Sequence, residues 1–155
     1  MDLLERDAPR ALINDTFKQV CVKEGVIVLV SGEAGIGKTS FVTDFAGSQR
    51  PLARILWGAC DPLVTPRPLG PIYDIALRDF PHLLELLNSG ADWFAIAAAL
   101  QKILIEGPTP TIIVIEDIHW ADEATLDLIK YLGRRVQQAK TLFILTYRED
   151  EVGGK

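Results

Sequence analysis

Cysteine is scarce in this sequence: Cys21 and Cys60 are the only two in 155 residues. Two are too few for a disulfide framework, and neither has a metal-ligand partner at short spacing. That excludes a stapled secreted scaffold and a zinc ribbon, and makes a reducing cytoplasm the expected compartment. Basic charge is also short, with 16 Lys and Arg against 21 Asp and Glu and a formal net charge of −5. A general polyanion binder is excluded on that ground, because affinity for a phosphate backbone comes from clustered cations. No run of apolar residues approaches the roughly 20 needed to span a bilayer; the longest is Trp93 to Leu100. The opening Met1-Asp2-Leu3-Leu4-Glu5-Arg6-Asp7 is acidic and has no signal-type apolar stretch. The expectation is a soluble, cytoplasmic protein. Neither an internal repeat nor a low-complexity tract is visible.

What is present is apolar surface in quantity: the hydrophobic set makes up 48% of the residues, enough for one core in one domain spanning 1–155. Apolar runs alternate with stretches of helical period, the mark of a parallel sheet covered by helices. Four strands are expected, at Val26–Val30, Ile55–Trp57, Thr111–Ile115 and Leu142–Thr146. Their unbroken hydrophobicity predicts cover on both faces. Helices are expected at Lys38–Ala46, Pro71–Arg78, Trp93–Ile105 and Asp122–Ala139. In the last of these Leu128, Ile129, Leu132 and Val136 share one face and Asp122 serves as N-cap. Four prolines in Asp61–Pro71 make that segment an irregular connection.

The most informative stretch is Gly32-Glu33-Ala34-Gly35-Ile36-Gly37-Lys38-Thr39, followed by Ser40, which satisfies G-x-x-x-x-G-K-[ST] between an expected strand and an expected helix. The residue types suit a polyphosphate. Glycines let the backbone come close, amides at a helix start have no intrahelical acceptor, and the helix dipole favours an anion there. Residues 32–40 are thus the nucleotide-binding candidates, with the Lys38 ammonium directed to the β- and γ-phosphates and the Thr39 hydroxyl to Mg²⁺.

Such a loop needs an acidic partner at the end of another buried strand. Ile112-Ile113-Val114-Ile115 runs straight into Glu116-Asp117. Glu116 is read as the carboxylate on the Mg²⁺ side, and Asp117 as the general base for water. His119 and Trp120 follow without metal-type companions, so packing or loop orientation is expected of them rather than proton transfer. The fourth strand ends in Thr146-Tyr147-Arg148, where Arg148 either reaches the γ-phosphate or is solvated beside Glu149 and Asp150.

Several separate motifs in order carry a family resemblance. They are Leu3-Leu4-Glu5-Arg6-Asp7, the glycine-rich loop, Trp57-Gly58-Ala59-Cys60-Asp61-Pro62 with Thr65-Pro66-Arg67-Pro68-Leu69-Gly70-Pro71, then Glu116-Asp117-Ile118-His119-Trp120-Ala121-Asp122 and Thr146-Tyr147-Arg148. On these the chain resembles the AAA-type ATPase domain of the signal-transduction ATPases with numerous domains, in particular that of large ATP-binding LuxR-family regulators. The resemblance implies a three-layer α/β/α P-loop fold with mainly parallel strands in the order 2-3-4-1, the fourth inserted between the loop strand and the acidic strand. It also implies Arg148 as a γ-phosphate sensor and an N-terminal segment near adenine. Many such domains carry two aspartates where this chain has Glu116-Asp117. They continue into a fifth strand, a lid, and DNA-binding and other domains that this sequence does not contain, so strand one is expected as a sheet edge.

The function expected is that of an ATP- and Mg²⁺-binding, slowly hydrolysing switch, exchanging ATP and ADP and read by other regulatory domains or protomers. No direct nucleic-acid or membrane contact by this segment is expected. Alternatives are a nucleotide-binding module without hydrolysis, a small-molecule phosphotransferase, for which no Arg-rich lid is visible, and a purely structural domain.

Overall fold

The computed structural model describes residues 7–32, 37–62, 68–135, 137 and 139–148. Along the chain these form α1 (Asp7–Val22), β1 (Val26–Gly32), α2 (Lys38–Gln49), β2 (Arg54–Ala59), α3 (Gly70–Asp79), α4 (Pro81–Asn88), α5 (Trp93–Glu106), β3 (Thr111–Glu116), a single 3-10 turn (Ile118–Trp120), α6 (Glu123–Gly133) and β4 (Thr141–Arg148). The four strands make one sheet, all neighbours parallel, in the order β1-β4-β3-β2. Read from the opposite edge, that is 2-3-4-1.

Alternation along each strand divides the core into two layers. Ile112 and Val114 of β3, with Leu142 and Ile144 of β4, face Ile13, Phe17 and Val20 of α1 and Val42 and Phe45 of α2. Ile113, Ile115, Phe143 and Leu145 face the opposite way, against Ile72 and Ile75 of α3, Leu83 of α4, Leu100 of α5 and Leu128 of α6. The β3 and β4 side chains are buried on both faces because helices lie on each.

β1 departs from the expected cover on both faces. Val26, Val28 and Val30 pack against the α1 and α2 layer, but Ile27 and Leu29, paired with Phe143 and Leu145, are 37% and 58% exposed. The second helical layer stops short of this edge strand, reaching it at the end of α6, where a Cβ on Gly133 would lie 2.8 Å from Ile27 Cδ1.

Two helices were not expected from the sequence, α1 and α4. α4 starts at Pro81, directly after Phe80, whose N–H donates to Ala76 O and closes α3 while its own carbonyl accepts from Leu84 N. α6 is shorter than the expected Asp122–Ala139. It ends at Gly133, where Arg135 turns back, its guanidinium donating to Tyr131 O (3.0 Å) and lying 3.7 Å over the Tyr131 ring. An arginine satisfying a terminal carbonyl is a common way to close a helix. Val136 lies outside the described residues.

On the opposite edge β2 meets α3 so closely that only glycine fits. A Cβ on Gly58 would stand 2.3 Å from the Pro71 carbonyl oxygen. This contact holds the start of α3 against β2, and Leu69 in the left-handed region (φ 58°) turns the chain into α3.

Candidate nucleotide-binding site

Parallel strands bring their C-terminal ends to one side of the sheet. Gly32 of β1 pairs with Arg148 of β4, and Ala59 of β2 with Glu116 of β3. In open α/β sheets this is the side on which ligands bind. Gly37 precedes α2 in the left-handed conformation (φ 84°, ψ 30°), which favours glycine. The first helical hydrogen bond runs from Phe41 N to Gly37 O (2.9 Å), so the amides of Lys38 to Ser40 have no acceptor within the helix. The Lys38 ammonium donates to the Gly32 carbonyl, at 3.4 Å. Glu33, Ala34, Gly35 and Ile36 lie outside the described residues.

Glu116 is tied on both carboxylate oxygens. Thr39 Oγ1 donates to Oε1 (2.7 Å) and Trp57 Nε1 donates to Oε2 (2.9 Å). Its backbone carbonyl accepts from Cys60 N (2.9 Å), which carries the β2–β3 pairing one step beyond the strands. The structure therefore brings together Lys38, Thr39 and Glu116, residues separated by up to 78 positions in sequence.

Asp117 has a left-handed backbone (φ 59°, ψ 49°). Positive φ in a residue with a Cβ is a local strain that aspartate tolerates better than most. Two bonds hold it: Asp117 N donates to Thr146 Oγ1 (3.0 Å), and its carbonyl accepts from Trp120 N (2.9 Å). His119 Nδ1 accepts from Arg148 N (3.2 Å), joining the 3-10 turn to the end of β4. That is a positioning contact of the kind expected of His119, and the half-buried Arg148 stands beside it.

Three further side chains take part that no motif marks by role. Trp57 and Thr146 carry no role in the sequence beyond strand and motif positions, although each lies two residues before the ligand-side end of its strand and carries a hydrogen-bonding group. Asp122 was read as an N-cap, and it does accept from Thr125 N (3.1 Å) and Thr125 Oγ1 (2.6 Å). It also accepts from Leu69 N (3.3 Å), anchoring the turn into α3.

The field on the β2 side is acidic. Burial pushes the Cys60 thiol up to about 12, and Asp122, Asp117, Asp61 and Asp74 raise it in the same direction. Cys60 is a neutral thiol at physiological pH, which suits packing rather than nucleophilic chemistry.

The arrangement fits a magnesium–polyphosphate pair. Mg²⁺ is commonly held by one or two carboxylates together with phosphate oxygens and water, not by an all-protein cage. Glu116 at the end of β3 and the Thr39 hydroxyl at the start of α2 would supply such a partial set. Among the described residues no group of three or more His, Cys, Asp or Glu forms a cage of its own.

The fold and this site define a P-loop nucleotide-binding domain. The AAA ATPase domain family matches residues 2–145, and the chain belongs to it. Cdc6p from Pyrobaculum aerophilum shares the fold, with a TM-score of 0.66 at 17% identity over 98% of this chain and 41% of that one. PCH-2 of C. elegans is similar at a TM-score of 0.55 and 10% identity, over 96% of this chain and 38% of the other. An uncharacterized protein of Rhizobium meliloti is 24% identical over 94% of this chain, which spans 18% of the relative's length. Among the described residues no helix is long and apolar enough to cross a membrane.

Proposed function

We propose that this chain is an ATP-binding, slowly hydrolysing switch domain of a larger signal-transduction or transcriptional regulator of the LuxR-associated type. The observation that carries the reading is the 2.7 Å bond from Thr39 to Glu116, which joins the start of the phosphate-loop helix to the end of the acidic strand. Residues 32–40 bind the phosphates, the amides at the start of α2 facing the anion. Lys38 exchanges its contact with the Gly32 carbonyl for phosphate oxygens. Thr39 and Glu116 hold Mg²⁺, which when bound neutralises charge building up on the phosphates. Asp117 accepts a proton from the attacking water, and Arg148 senses the γ-phosphate from the end of β4. A groove of about 380 Å³ between α1 and β1, with Pro9, Leu12, Val28, Ser31 and Phe41 in its lining, offers adenine an apolar bed near the N-terminal segment.

Switching rests on the position of these groups. Asp117, His119, Thr146 and Arg148 link the 3-10 turn to β4, so contacts that depend on the γ-phosphate bias the geometry presented to neighbouring domains. A fifth strand beside β1, a lid and DNA-reading elements belong to the remainder of such a regulator. Calorimetric titration with ATP and Mg²⁺ tests the reading: binding that is lost in Lys38→Ala supports it, and equal affinity in that variant overturns the phosphate role. Phosphate release measured alongside separates a hydrolysing switch from a module that only binds.

A further inference from the structure

Glu116 hangs its carboxylate on a longer side chain than aspartate would, with one more torsion to fix before an oxygen is aimed at a cation. Thr39 cannot do this alone, because its hydroxyl is itself a candidate cation ligand and its bond to Oε1 is the one that ligand binding disturbs. Trp57 is placed differently. It stands on β2, two residues before Ala59, which pairs with Glu116, so its side chain leaves the sheet on the same face as that of Ala59. The ring is half-buried against the layer that contains Val114 and Phe41, which leaves it little freedom. Its indole nitrogen is a donor only and delivers that proton to Glu116 Oε2 at 2.9 Å.

We propose that Trp57 is a positioning residue for Glu116: the indole N–H locks one carboxylate oxygen, so that the other remains turned to Thr39 and the cation. The proposal rests on the reading of Glu116 as the Mg²⁺-side carboxylate. A bond between a neutral donor and a carboxylate held in a partly dry site is stronger than one between neutral groups. Residues that orient a metal ligand in this way typically contribute a factor of about 10 or more to metal affinity. Trp57 thereby provides the rigidity that the extra methylene of Glu116 removes.

The test compares ATP affinity in excess Mg²⁺ with that in EDTA, by calorimetry, for the wild type, Trp57→Phe, Glu116→Gln and the double variant. In Trp57→Phe the gain due to Mg²⁺ is expected to fall about tenfold, while affinity in EDTA stays at the wild-type value. The double variant is expected to match Glu116→Gln. A full Mg²⁺ gain in Trp57→Phe overturns the proposal. So does a double variant weaker than Glu116→Gln by the factor that Trp57→Phe costs on its own, since the ring would then act by packing. A wild type that binds ATP without any Mg²⁺ gain instead removes the reading of Glu116, and the proposal with it. A second measurement stands even if Trp57→Phe does not fold. In protein labelled with ¹⁵N at its three tryptophans, Glu116→Ala should shift an indole N–H resonance, and a spectrum in which none moves overturns the assignment.

Discussion

Asp117 is the residue whose backbone and side chain make separate demands. Its left-handed conformation turns the chain from β3 into the 3-10 turn, and its carboxylate is the proposed base for water. Asparagine also accepts positive φ, so Asp117→Asn preserves the turn and changes the chemistry alone. ATP affinity should be retained while phosphate release slows by about a hundredfold or more, the usual contribution of a general base. An undiminished rate assigns the role elsewhere. Cys60 makes a different prediction. Its thiol ordinarily ionises near 9.0 and in the fold is pushed up to about 12. Above pH 9 the unfolded chain releases this proton and the folded chain keeps it, so unfolding is favoured increasingly as pH rises. The contribution is fully present below 9 and lost on the way to 12. Melting temperatures from pH 8 to 11 should therefore fall more steeply for the wild type than for Cys60→Ala. Parallel curves would show that the thiol is not held neutral.

Among the elements, α6 depends most visibly on one side chain. Asp122 caps its first turn and at the same time accepts from Leu69 N in the turn into α3. Losing an N-cap costs about 1 kcal/mol, and a half-buried amide left without its acceptor adds to that. Asp122→Ala is expected to destabilise the domain by about 2 kcal/mol in urea unfolding, and Asp122→Asn, which still caps, by clearly less. The cap was legible in the sequence, as were all four strands and the helices α2, α3 and α5, because each joins a strong apolar pattern to a glycine, proline or cap signal. α1 was missed although Ile13, Phe17 and Val20 recur at helical spacing, since Pro9 and a balanced composition hide the pattern. α4 was missed because Pro81 reads as a breaker when it is the first helical residue, a position where its missing N–H costs nothing. The far end of α6 and the bare face of β1 are tertiary facts. Gly133 abuts Ile27, and apolar patterning does not tell that one face of β1 stays bare, although its edge position follows from the strand order that the resemblance implies. At the site, the motifs gave Lys38, Thr39, Glu116 and Asp117, whereas the bond from Trp57 depends on β2 lying beside β3.

The whole molecule is coupled to its site because no single element contains it. The groups that meet there come from β1, α2, β2, β3 and β4, which together hold both core layers, and unfolding any of them disperses the site. A ligand that binds only the assembled arrangement stabilises the entire fold by mass action, by about 2.7 kcal/mol at a concentration 100 times its dissociation constant. For a domain of this size 1 kcal/mol corresponds to roughly 2–4 °C in Tm, so ATP with Mg²⁺ should raise the midpoint by about 5–10 °C. ADP is expected to give a smaller rise, because the contacts proposed for Arg148 and Lys38 with a γ-phosphate would then be missing. Lys38→Ala should abolish most of the shift, and Cys60→Ala, at the acidic side of β2, should keep it. Thermal melts of these three proteins with and without nucleotide decide the matter. A wild type whose midpoint does not move under saturating Mg²⁺ and ATP would leave the crossing of Thr39 and Glu116 as a purely structural bond, and the domain as a scaffold with no ligand of this class.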